Sequence, residues 1–178
     1  RTGDAWDSHA HPEHELLSSI TGTVTVVTPH TIHVLPPGSA IWLPADEAHA
    51  VHAAPGNTMR CTWFDVDAVP DALTRTTVLT TSPLLDDVLT HLDGCADPAR
   101  RLRAEAFALD LLSSSALPHD GLPQPRTPWL VAVTQALSRH PGDSRTVDEW
   151  AARCAVSTRT FTRRFQSETG LTFSAWRS

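Results

Sequence analysis

The chain has no tyrosine and no lysine: all 14 of its basic residues are arginine. Genomic base composition explains that bias better than physics does. Methionine occurs once, and the three cysteines (Cys61, Cys95 and Cys154) lie far apart with no CxxC pair. This excludes a disulfide framework and fits a reducing cytoplasm. No apolar run approaches the roughly 18 residues of a membrane span. No signal-peptide pattern, internal repeat or low-complexity tract is present, although the sequence opens at Arg1 and not at Met. What it does have is a 40% hydrophobic share, enough for a packed core, and ten histidines in 178 residues. The net charge of −6 is unevenly spread. From Asp143 onward six arginines face four acids, leaving that segment at +2 and the remainder at −8. An acidic body carrying a mildly basic module is the expected layout.

Residues 1–68 read as β structure. Gly22–Thr28, Thr31–Leu35, Ala40–Leu43 and Thr58–Val66 are rich in β-branched and apolar residues, with Pro36-Pro37-Gly38 as a turn. Many short strands with such turns predict a sandwich or barrel. The periodicity changes at Ser82. Leu84, Leu85, Val88, Leu89 and Leu92 recur at helical spacing up to Gly94, and Ala99–Ser113 repeats the pattern with Leu102, Ala106, Leu109 and Leu112 on one face. Residues 82–116 are therefore read as a helical hairpin, a possible dimerisation element. Prolines at 118, 123, 125 and 128 mark a stiff linker over 117–128. Three helices follow, at Trp129–Arg139, Val147–Cys154 and Thr158–Thr169.

Histidine is the commonest metal ligand, and three of the ten lie close together in His9-Ala-His11-Pro-Glu-His14-Glu15. In a strand, side chains at i and i+2 share a face, which predicts that His9 and His11 point together, with Glu15 alongside if the register survives Pro12. The same parity turns His14 away. The spacing resembles the first cupin motif, HxHxxxE followed by six residues and Gly, at His9, His11, Glu15 and Gly22. Gly38, Pro44 and His49 resemble the second motif, with Asp46 in place of its second Gly and Ala53 in place of its final Asn. The resemblance covers residues 1 to about 68, within a sensor domain read as 1–80, and implies a small β-barrel with His9, His11, Glu15 and His49 around one divalent transition metal, Fe(II) or Zn(II) as first choices. His52 has the wrong parity to join His49.

Near the other end, Thr146-Val-Asp-Glu149 is a capping box and Ser157 caps the next helix. Phe161 and Phe165, four apart, define a buried side; Arg159, Thr162, Arg163 and Gln166 then fall on the outer side. Gly170 ends the helix. Two capped helices around a tight turn, the second bearing arginines, form a helix-turn-helix suited to guanine edges in the major groove. The run SxRxFxRxFQxxxGxTF resembles the first helix-turn-helix of the AraC/XylS family of regulators. That resemblance implies base contacts by Arg159, Thr162 and Arg163, with Arg164 and Gln166 nearer the phosphates. The family domain continues into a second helix-turn-helix, so residues 129–178 read as an incomplete module.

The expected whole is an α+β protein: cupin sensor, helical hairpin and all-α helix-turn-helix. The expected function is that of a cytoplasmic, homodimeric transcription regulator whose metal or small-molecule effector modulates binding to double-stranded operator DNA. Two alternatives remain at this level. One is a metal-free cupin pocket for a small organic effector. The other is a mononuclear metal enzyme, a dioxygenase or isomerase, which leaves the arginine-bearing helix without a purpose.

Overall fold

The computed structural model describes residues 5–69, 73–113 and 121–177. The described residues divide into two compact units: 5–28 with 33–113, and 29–32 with 121–177. Elements run β1 (Ala5–His9), β2 (His14–Thr21), β3 (Val24–Val27), β4 (Thr31–Leu35), β5 (Ser39–Leu43), β6 (His49–Ala53), β7 (Thr58–Phe64) and β8 (Thr77–Thr80). Helices α1 (Pro83–Gly94) and α2 (Pro98–Ser113) follow, then the short strand β9 (Leu122–Pro123). Helices α3 (Pro128–Arg139), α4 (Val147–Arg153), α5 (Thr158–Thr169) and α6 (Phe173–Arg177) complete the chain. This is the expected α+β order.

In the first unit two antiparallel sheets pack face to face, one in the order β1-β6-β3-β4 and the other β7-β2-β5-β8. Between them lie Leu17, Ile41, Leu43 and Val78 from one side and Val24, Val26, Leu35 and Val51 from the other. The outer face of the second sheet is also covered. Leu16, Ala40, Trp42, Phe64 and Leu79 pack against Leu85, Leu89 and Leu92 of α1 and Ala108, Leu109 and Leu112 of α2. Because β2 is buried on both faces, its sequence lacks the apolar–polar alternation of a half-exposed strand.

Two sequence expectations need correction here. Leu102 and Ala106 were expected to share α2's buried face, but both are exposed. Near its start α2 instead meets α1 through Arg101, which donates to the Leu92 carbonyl, and its buried residues begin at Ala108. Second, His9 and His11 do not share a strand. β1 ends at His9, and His11 lies in the turn before β2, so alternation does not govern the pair.

In the second unit, β9 pairs antiparallel with Thr31 and Ile32. The expected linker is thus partly a strand. Around α5, Phe161, Phe165, Phe173 and Trp176 form an aromatic cluster with centroids 5.2–6.1 Å apart.

Candidate functional site

His9 and His49 meet because β1 and β6 are antiparallel neighbours with these two residues in register. His11 is brought to them by the loop before β6: the Asp46 amide donates to the His11 carbonyl at 2.8 Å. That loop turns through Asp46 at φ 62°, the left-handed conformation that the motif's glycine would supply and that Asp tolerates better than most residues. Gly22 is at φ 73°, where a Cβ would sit 1.9 Å from the Asn57 side chain, so only glycine fits.

One ring nitrogen from each of His9, His11 and His49 lies within 4.8 Å of the others. Glu15 comes from the middle of the second sheet, paired with Leu43 on one side and Trp63 on the other. Its Oε2 is 3.1 Å from His49 Nε2 and 3.6 Å from His11 Nε2. Thus the three imidazoles share one cluster, and Glu15 stands against two of them.

Tautomers are set by neighbours. His9 Nδ1 donates to the Asp7 carbonyl at 2.6 Å and His49 Nδ1 to the Glu47 carbonyl at 2.9 Å, which leaves each Nε2 lone pair free to bind. Glu15 Oε2 and His49 Nε2 are fully buried, yet neither has a hydrogen bond of normal geometry. Burial pushes the Glu15 carboxyl up, but its neighbours His49, Cys61 and His11 bring it net below its ordinary value. Burial pushes His49 down, but Glu15 and the Glu47 carbonyl carry it net above its ordinary value. The two side chains thus stand at ion-pair distance inside the site. Buried donor atoms without hydrogen bonds, on residues of ligand type, fit a divalent transition metal.

His14 faces away, as its parity predicts. Its Nδ1 accepts from the Ala45 amide at 2.9 Å, and its ring stacks on Trp42 at 5.2 Å. His52 is buried outside the cluster. Sequence reasoning left out two residues. Cys61, opposite Leu17, hydrogen-bonds Glu15, and burial followed by that carboxylate pushes its thiol up. Trp63, directly opposite Glu15, is 45% exposed, with its ring 6.1 Å edge-on from His11. Neither has a local sequence signal, because both depend on the β2–β7 register.

The second candidate site is one face of α5. The capping box at Thr146 and Glu149 forms, Ser157 caps α5 through the Thr160 amide, and Gly170 closes it at φ 74°. Ala155, in the turn between α4 and α5, takes φ 55° without glycine's freedom. Phe161 and Phe165 are fully buried, whereas Arg159, Thr162, Arg163, Arg164 and Gln166 are all exposed. The Thr162 hydroxyl donates to the Thr158 carbonyl at 2.9 Å. Among the described residues Arg159 and Arg163 have no ion-pair partner, whereas Arg164 pairs with Glu168 at 2.7 Å.

A family model described as the AraC-like ligand binding domain matches residues 1–127. A second, for bacterial regulatory helix-turn-helix proteins of the AraC family, matches residues 137–178. The HTH-type transcriptional regulator NimR of Escherichia coli (strain K12) is 26% identical over 179 residues, covering 95% of this chain and 63% of that protein. The HTH-type transcriptional regulator RipA of Corynebacterium glutamicum is 39% identical over 67 residues, covering 38% of this chain and 20% of that protein. The chain thus spans less than two thirds of either relative's length. The crystal structure of the AraC-like transcriptional activator CuxR superposes with a TM-score of 0.52 at 10% identity, covering 99% of this chain and 71% of that one. At that identity the likeness is one of fold.

Proposed function

The chain belongs to the AraC family of bacterial transcriptional regulators, and from that premise we propose that it senses a divalent transition metal, or an effector held through one, and adjusts its affinity for operator DNA accordingly. His9, His11, His49 and Glu15 would hold the ion in a cupin-like site. Bound there, it would supply a fixed positive charge and open coordination positions for an effector's donor atoms. The carrying observation is the meeting of three imidazole nitrogens within 4.8 Å beside a carboxylate oxygen that is buried without a hydrogen bond. A proton on His49 competes with any ion for the same lone pair, so metal affinity falls as pH drops.

Arg159, Thr162 and Arg163 would face the major groove, arginine offering paired donors to guanine, with Gln166 nearer the phosphates. Differential affinity of the effector for two arrangements of the protein is what would alter DNA binding. A homodimer is the expected working form, and operator DNA as partner makes the cytoplasm the place of action. Among the described residues no helix is long and apolar enough to cross a membrane. The families matched are regulators and not enzymes, which removes the dioxygenase or isomerase reading.

The test is elemental analysis of anaerobically purified protein, wild type beside His11→Ala and His49→Ala. One equivalent of a transition metal in the wild type, lost in both variants, is the expected result. Metal-free wild type that also resists reconstitution with Fe(II) and Zn(II) would refute the metal reading and leave an organic effector.

A further inference from the structure

Arg163 and Arg164 are neighbours on α5, yet they stand in different surroundings. Arg163 is exposed and, among the described residues, has no acidic partner. Arg164 follows Phe161 by three residues and precedes Glu168 by four, which puts it on the flank of the buried side and away from Arg159 and Arg163. Its Nε lies 2.7 Å from Glu168 Oε1 and 3.1 Å from Thr127 Oγ1.

Glu168 has more than this one partner. Its Oε2 accepts from the Arg126 amide at 2.8 Å and the Thr127 amide at 2.9 Å, and its Oε1 accepts the Thr127 hydroxyl at 2.5 Å. Three donors and the Arg164 cation surround a carboxylate that is only 15% exposed. Thr127 is the N-cap of α3, and its own side chain makes no capping bond. The carboxylate at the end of α5 therefore occupies the place at the start of α3 where negative charge is favoured. Nearby, Trp176 Nε1 donates to the Pro123 carbonyl at 3.0 Å, so the same stretch of linker is held at a second point.

We infer that Glu168 is a positioning residue, clamping the start of α3 and the end of the linker to the DNA-reading helix, and that Arg164 is the clamp's counter-charge and not a phosphate contact. This rests on the reading of α5 as the helix that meets DNA. A cation already neutralised by a buried carboxylate releases no counterion from DNA, whereas a free one does. The two arginines should therefore differ in how they affect the salt dependence of binding.

The experiment uses the full chain and a fluorescein-labelled, mixed-sequence 30-base-pair duplex, with affinity followed by anisotropy from low salt upward. Arg163→Ala is expected to reduce the slope of log K against log salt by about 0.9, one phosphate contact. Arg164→Ala is expected to leave the slope unchanged. Glu168→Gln, which keeps the shape but frees Arg164, is expected to raise the slope by up to about 0.9, and adding Arg164→Ala to it should restore the wild-type slope. In Glu168→Gln, amide hydrogen exchange at Arg126 and Thr127 should also accelerate. Should Glu168→Gln fail to fold, the comparison of Arg163→Ala with Arg164→Ala decides alone. An equal loss of slope in those two variants overturns the inference. Wild type that shows no salt-dependent binding refutes the DNA reading itself, and the inference with it.

Discussion

The candidate metal ligands are drawn from β1, the turn after it, β2 and β6, so the cluster exists only when two sheets have paired in register. The candidate DNA-reading residues, by contrast, all lie between Arg159 and Gln166 on a single helix. In the first case removing a functional side chain disturbs buried partners. In the second the functional side chains stand free, and the stability lies in the residues beneath them. Function and stability are thus entangled at one site and separable at the other.

The largest expected effect comes from the residue that supports the helical site. Phe161 is fully buried against Trp129, Phe165 and Phe173, and Phe161→Ala should cost about 4 kcal/mol, read from urea unfolding by circular dichroism. At the assembled site, Glu15→Ala in the ion-free protein strands His49 without its buried partner and should cost about 3 kcal/mol by the same measurement. A cost below about 0.5 kcal/mol there, the level of an ordinary surface change, would break the contrast between the sites.

A smaller effect is expected in acid. Burial pushes the Glu168 carboxyl up, but hydrogen bonds from Thr127 and Arg126 and the Arg164 charge bring it net below its ordinary value of 4.5. A carboxyl depressed by folding stabilises fully above that ordinary value, and the contribution is lost as pH falls through the depressed one. Unfolding midpoints measured from pH 6 to pH 3 should therefore fall more steeply in wild type than in Glu168→Gln. The smallest effect sharpens the comparison from the other side. Arg163→Ala should change stability by less than about 0.5 kcal/mol while weakening DNA binding.

How far the sequence could be read follows the same division. A helix face is set by spacing within one segment, and the caps at Thr146, Ser157 and Gly170 all form where the sequence puts them. The spacing of His9, His11, Glu15 and His49 pointed to residues that do converge, but not for the reason first given. His11 is placed by a hydrogen bond from Asp46, thirty-five positions on, and not by strand alternation. The central strand β2 has no alternation to read, because both of its faces are covered. Cys61 and Trp63 flank Glu15 only through the register of β7, which nothing in their local sequence specifies. In the second unit, the resemblance puts Arg164 nearer the phosphates, whereas its Nε meets Glu168 of the same helix and Thr127, a residue thirty-seven positions earlier.

Among the described residues β1 is an edge strand, paired with β6 alone and irregular in register between Trp6 and His9. Glu15 and His49 are anchored deeper, in strands bonded on both sides. An ion shared by all four would therefore act as a rivet through the leading segment, and withdrawing it would loosen that segment first. Limited proteolysis should then cut around residues 5–11 soon after a chelator is added, well before the rest of the sandwich yields.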